Sequence, residues 1–308
     1  MNVDVPSLFR RLALLLAACL ATAAVAAEPL DQWNWRGLGP KESFKGDNYH
    51  DVVAQKDLLV VIGSGGKALL RKGDTWKPVD LGTQHALHGV VIANGTLFAV
   101  GDRGTLLASR GGEVWTPRDS TVSVPLFAIM YTDNVFVTVG DGGMILTSGY
   151  GRIWLHQPSR TIDPLYGVGF DRETFLAVGA NGTILKSADG TFWLPQTSGS
   201  DRRLRAVAPG NGLFVVVGER GTILTSPDGA KWTTRESGTN KALSGVTYGA
   251  GTFVAVGSLG TILTSTDGIT WKARASGVKH DLNSATFAEH SFWIAGSNGA
   301  ILESAELP

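Results

Sequence analysis

From residue 49 onward the chain is a succession of short apolar runs separated by polar, glycine-containing breaks. The clearest series is Leu243 to Tyr248 (LSGVTY), Thr252 to Val256 (TFVAV), Thr261 to Ser265 (TILTS) and Trp271 to Ala275 (WKARA). Each run is rich in β-branched or aromatic residues and too short for a helix, and no 3.6-residue periodicity follows the N-terminal segment. The pattern therefore predicts four short strands joined by tight turns.

The series repeats. Trp76, Trp115, Trp154, Trp193, Trp232 and Trp271 are 39 residues apart at every step; Gly101, Gly140, Gly179, Gly218, Gly257 and Gly296 keep the same step, and Gly63 leads by 38. Four strands per unit of this length is the signature of a β-propeller blade, so the fold class expected is all-β, a seven-bladed β-propeller of four-stranded blades. The seventh copy, from Gly296 (GSNGAILES), reaches Pro308 before its fourth strand. The missing strand is read at the other end, where Trp33 to Gly39 (WNWRGLG) aligns with Trp232 to Gly238 (WTTRESG). The N-terminal strand is thus expected to join the last blade and close the ring, leaving no open edge.

Two elements recur in every unit. Gly-x-x-Gly, as in Gly218 to Gly221, has the look of a phosphate loop, but a β run follows it where a phosphate loop needs a helix. It is read as a two-residue hairpin turn with glycines at positive φ. Ser-x-Asp-Gly-x-x-Trp occurs with Asp189, Asp228 and Asp267; the Asp position is Lys72, Gly111 and Tyr150 in the first three copies, while its Gly persists in all six. These aspartates fall on separate blades and do not converge. They are read as structural, each accepting N–H groups of its own turn, with the tryptophan packing across the hairpin.

This motif resembles the Asp-box (bacterial neuraminidase) repeat, although it is shortened between Asp and Trp. Over residues 33–308 the chain resembles the propellers of the photosystem II assembly and stability factor family, within the wider YVTN/Asp-box group. That resemblance implies a non-catalytic role, docking on client proteins. Asp-box repeats also occur in sialidases, whose six-bladed rings carry an Arg-Ile-Pro segment; this chain has seven repeats and no Arg-Ile-Pro.

Composition narrows the picture further. Lys+Arg and Asp+Glu balance at 27 each, so no general attraction to nucleic acid or an anionic membrane is expected. Arg10 and Arg11, the apolar run Leu12 to Ala18 and the small-residue site Ala24-Val25-Ala26 read as an export signal over residues 1–27, leaving one propeller domain over 28–308. Two readings of this segment stand: ordinary cleavage to a periplasmic or secreted protein, or lipidation at Cys19, since Leu16-Ala17-Ala18-Cys19 matches a lipobox. Cys19 is the only cysteine, so ordinary cleavage leaves no disulfide or thiolate site.

Candidate binding residues are those that vary where the ring converges. One position opens each innermost strand: His50, His88, Phe127, Tyr166, Arg205, Ser244 and Asn283. All are polar or aromatic, while their neighbours stay small or apolar. Arg202, Arg203 and Arg220 add a basic sector beside Arg205, suited to a carboxylate, a phosphate or an acidic protein surface. The connection Pro40 to Asn48 is a candidate flap over His50. No metal or cofactor is expected, because His50, His85 and His88 show no ligand spacing. The function expected is an exported, monomeric, non-enzymatic scaffold docking a protein partner or small ligand at the channel mouth. The alternative is a propeller enzyme at the same mouth, either a sialidase-like glycosidase using Tyr166 and Glu219 or a lyase using His50 or His88 as base.

Overall fold

The computed structural model describes residues 29–31, 33–35, 46–132 and 134–307. The expected export signal, Cys19 and most of the candidate flap lie outside them. Seven four-stranded antiparallel sheets form the ring. The innermost strands are Tyr49–Gln55, Leu87–Ala93, Leu126–Thr132, Leu165–Asp171, Leu204–Gly210, Leu243–Gly249 and Leu282–Ala288, which open blades one to seven in turn. In blade six Thr252–Gly257, Thr261–Ser265 and Lys272–Ala275 complete the sheet, within a residue or so of the strands read from the pattern. Blade seven takes its outer strand from the N-terminal side: Trp33–Trp35 runs antiparallel to Ile301–Ser304, with Trp33 opposite Ser304 and Trp35 opposite Leu302.

The core is not one central mass but seven layers between blades. Val137, Val139 and Ile145 of blade three pack on Phe175, Ala177 and Leu185 of blade four. Val61 and Leu69 of blade one pack on Trp293 and Ala295 of blade seven, so the layer at the closure is built like the others. Second and third strands are buried on both faces, which is why they read as unbroken β-branched runs rather than as alternations.

Two details differ from the sequence reading. The repeated tryptophans pack on their own blades, as Trp193 does on Phe175, but also wedge between blades: Trp193 of blade four joins Val137 and Val139 of blade three, and Trp76 of blade one meets Trp293 of blade seven with ring centroids 6.4 Å apart. A flat indole at the end of a sheet buries most area against the neighbouring sheet's face, and there it stays. The Gly-x-x-Gly turn is a short 3-10 turn whose first glycine is extended, with φ −166° at Gly218. That glycine is required by proximity, because a Cβ there would lie 2.3 Å from the Arg203 carbonyl oxygen. The positive φ values fall at the third and fourth positions, Arg220 and Gly221. Each such turn is stitched to the segment entering its own blade, as by Glu219 N–H to Arg203 O at 2.9 Å.

Candidate functional site

The second residue of each innermost strand sits in a β-bulge in all seven blades. Tyr49 pairs with Gly63 and Asp51 with Ile62, which leaves His50 unpaired between them; the same shift falls at His88, Phe127, Tyr166, Arg205, Ser244 and Asn283. A bulge re-aims its side chain out of the pleat. The structure thereby brings all seven residues into one half-buried ring around a polar cavity of about 260 Å³ at the channel mouth.

One side of this ring is an unbroken arc of aromatic rings in contact, stacked at its first pair and tilted at the next two. The His50 and His88 imidazoles lie nearly parallel, centroids 5.2 Å apart; His88 meets Phe127 at 5.6 Å, and Phe127 meets Tyr166 at 5.2 Å. The Arg203 guanidinium caps the arc, 5.3 Å from the centre of the Tyr166 ring. Adjacent blades supply adjacent rings, so the spacing of the arc is the spacing of the blades.

The other side is polar. Asn283 Nδ2 donates to the Tyr49 carbonyl at 2.7 Å across the closure of the ring. Arg205 Nη2 and Arg203 Nη1 both reach Glu219 Oε1 at 3.3 Å, and Arg202 Nε reaches Asp201 at 3.2 Å. Two carboxylates thus partner three of the sector's four guanidinium groups, and Arg220 is in no ion pair among the described residues, so the sector stays net basic. Arg205 Nε is buried and meets no acceptor among the described residues.

The histidines are occupied. His50 Nδ1 lies 2.9 Å from the Leu87 carbonyl, which can only accept, so Nδ1 carries the proton; Nε2 then faces the Ser64 hydroxyl at 3.1 Å as the acceptor. Burial holds this imidazole below the usual histidine range, which keeps it neutral. His88 Nε2 donates to Asp102 at 2.8 Å and His85 Nδ1 meets Thr105 Oγ1 at 2.8 Å, so the three histidines do not converge on one point.

The structural aspartates are not brought together. Each lies at the turn between the third and fourth strands of its own blade and spends its carboxylate there. Asp228 Oδ1 accepts from the N–H of Ala230 at 2.9 Å and of Lys231 at 3.0 Å, which lowers its carboxyl to about 2. Asp267 is held at about 2 by the N–H groups of Thr270 and Ile269, and Asp189 lies lower still for the same reason.

Sequence reasoning missed Asp51. Its carboxylate is enclosed, although the residue keeps part of its surface on the channel, and it ties three blades together. It accepts from Ser284 Oγ of blade seven at 2.5 Å, from Val90 N–H of blade two at 2.8 Å and from its own neighbour Val52 at 2.9 Å. The signal was present: the equivalent residues are Gly89, Ala128, Gly167, Ala206, Gly245 and Ser284, all small, so an acid in that column is out of pattern. Burial pushes Asp51 up from 3.8 to about 6. The unfolded chain thus loses this proton near pH 4 and the folded protein near pH 6. Between the two, the folded state binds more protons, and stability falls as pH rises. Asp51 is expected to take up to about 3 kcal/mol from the unfolding free energy between pH 4 and pH 7. Urea denaturation across that window checks this. The difference between wild type and Asp51→Asn should change with that sign, and a constant difference would contradict the burial argument.

No protein-family model matches the chain, and no curated protein sequence matches it. Solved structures do. YCF48 from Cyanidioschyzon merolae aligns with a TM-score of 0.71 at 17% identity over 88% of this chain and 98% of that one. YCF48 bound to a D1 peptide aligns with a TM-score of 0.74 at 18% identity, covering 92% and 96%. Virginiamycin B lyase from Staphylococcus aureus aligns with a TM-score of 0.77 at 12% identity, covering 90% and 100%. YCF48 and a lyase fit equally well, so the likeness is one of fold and the choice of function rests on the site. What these comparisons and the seven sheets establish together is that the chain is a seven-bladed β-propeller of the fold shared by YCF48 and virginiamycin B lyase.

Proposed function

We propose that this chain is an exported, non-enzymatic propeller scaffold that docks a segment of a protein partner at the channel mouth. The observation that carries this reading is the arc from His50 through His88 and Phe127 to Tyr166, capped by Arg203. Contiguous aromatic rings on a rigid frame offer contact area at little cost in conformational entropy, which is what a docking shelf needs. Arg220, in no ion pair among the described residues, would orient the segment by one of its carboxylates. YCF48 in its complex with a D1 peptide supports the reading, because there a propeller of this fold holds a peptide.

The test is a pull-down from the native cell envelope with wild type and a Phe127→Ala/Tyr166→Ala variant. The variant is expected to keep the wild-type melting temperature and lose the partner at least about tenfold, the effect of removing two central aromatic contacts. Recovery of the same partner by the variant would reject the mouth as the docking site. Export is a separate proposal, resting on Arg10, Arg11, Leu12 to Ala18 and the Ala24-Val25-Ala26 site. N-terminal analysis of the mature protein should find it beginning after Ala26 or Ala27. A chain beginning at acylated Cys19 would instead mark a lipoprotein, and an intact Met1 would refute export.

A further inference from the structure

The outer edge of the ring is not uniform. Nine large hydrophobic side chains are exposed among the described residues, and six of them lie on the outer strands and turns of blades two to four. Val114 is 74% exposed, Tyr150 87%, Ile153 74% and Leu155 59%, with Phe192 and Leu194 beyond them. The outer strands here are the shortest described, two residues each at Thr116–Pro117 and Leu155–His156.

Two clefts adjoin in this region and share Tyr150 and Arg152 as their common wall. The first, about 360 Å³, is lined by Arg110, Arg118 and Arg152 and by no carboxylate. None of these three arginines is in an ion pair among the described residues. The second, about 800 Å³, is lined chiefly by Val135, Tyr150, Ile153 and Leu155, with Asp189 at its far wall. Asp189 is spent on the N–H groups of Thr191 and Phe192.

The corresponding outer clefts of other blades are bridged. Lys72 pairs with Glu113 at 3.1 Å between blades one and two, and Lys186 reaches the Asp228 carbonyl at 2.7 Å between four and five. Asn211 reaches the Thr266 carbonyl at 3.2 Å between five and six. Between blades two and three Asn94 Nδ2 reaches Tyr131 Oη at 2.7 Å, yet among the described residues no hydrogen bond or ion pair joins the facing walls of the two clefts beside blade three's turn. Blade three carries Tyr150 where blades four to six carry Asp189, Asp228 and Asp267, which places an exposed ring between the two clefts.

We propose that these two clefts form one binding site, distinct from the channel mouth, for an extended acidic protein segment bearing a bulky apolar anchor. The anchor fills the cleft of Val135, Tyr150, Ile153 and Leu155. The carboxylates lie toward Arg110 and Arg118, away from Asp189, and this fixes the direction of the segment. Charge complementarity selects this occupant: three uncompensated guanidinium groups beside an apolar recess match a carboxylate run beside an apolar side chain. A concave recess also receives a side chain, whereas a membrane surface favours protruding apolar groups.

The experiment uses the chain as exported and a fluorescein-labelled peptide with a run of glutamates beside a Leu-Phe anchor, followed by anisotropy. Wild type is expected to bind it. Affinity should fall at least about tenfold in Arg110→Ala/Arg118→Ala/Arg152→Ala and in Tyr150→Ser/Ile153→Ser, while Phe127→Ala at the mouth leaves it unchanged. All these side chains are surface groups, so matched melting curves separate binding from folding. A peptide lacking the anchor, or with lysines for glutamates, should bind at least about tenfold more weakly. The proposal is overturned if wild type does not bind the probe, if the anchorless peptide binds equally well, or if the variants bind as wild type does. It is also overturned if phosphatidylglycerol vesicles retain the protein while the peptide does not bind. The mouth variant separates the two sites: its failure to lose a partner rejects the proposed function and leaves this inference intact.

Discussion

Replacing Gly221 with alanine is expected to destabilise the protein by about 3 kcal/mol or more, as overpacking against fixed backbone adds to left-handed strain. Gly221 closes the turn between the second and third strands of blade five with φ +69°. A Cβ would lie 2.0 Å from the Thr239 carbonyl oxygen and 2.6 Å from Ser237 Oγ. That carbonyl cannot retreat easily, since Ser237 Oγ already donates to it at 3.0 Å in the segment leading to blade six. Gly212 supplies the control. Its φ is +73°, yet nothing lies within 4 Å of its would-be Cβ, so Gly212→Ala should cost only the conformational penalty of about 1 kcal/mol. Urea denaturation of the two variants separates strain from collision. Equal losses would mean that close approach is not why the glycine recurs.

Trp193→Ala is expected to cost about 3–5 kcal/mol, the range for deleting a fully buried large aromatic. Its side chain is inaccessible to solvent, lies between blades three and four, and its Nε1 donates to the Gly190 carbonyl at 2.9 Å. Two milder variants test the account. Trp193→Phe loses the hydrogen bond as well as volume. Trp154→Phe removes an indole N–H that is buried without a partner, so its loss should be smaller by about 1 kcal/mol. Should Trp154→Phe prove the more damaging, the contribution assigned to the Trp193 hydrogen bond is wrong.

The architecture was legible because it is written seven times. A hydrophobic period, a glycine and a tryptophan at constant spacing gave blade number, strand order and the closing strand at Trp33–Trp35. The candidate ring was legible for a related reason: repeats align equivalent positions, and the column His50, His88, Phe127, Tyr166, Arg205, Ser244, Asn283 stands out by varying. The same comparison contained Asp51, but nothing local marks an acid among small residues as important. Its meaning lies in Ser284, 233 residues away, and in Val90, on another blade.

Contacts between blades lie beyond such reading. The strand pattern reports which residues share a face, and it is silent on which neighbouring sheet that face meets. For that reason Trp193 reads as packing on its own hairpin, although Val137 and Val139 of the preceding blade enclose it. The partners of the basic sector lie beyond such reading too. Arg203 and Arg205 read as free charge, but the turn that carries Glu219 folds back between them.

The sequence by itself determined a seven-bladed ring, because local strand propensity and a fixed repeat are enough to specify identical sheets that can bury their faces only against one another. The tertiary structure alone decided what the ring presents. Bulges turned seven strand residues into one mouth, ring contacts joined four of them into an arc, and the exposed Tyr150 ring came to stand between two clefts, one of them lined by three arginines. Those outcomes depend on distances between blades, which no single repeat encodes and which exist only once the ring has closed.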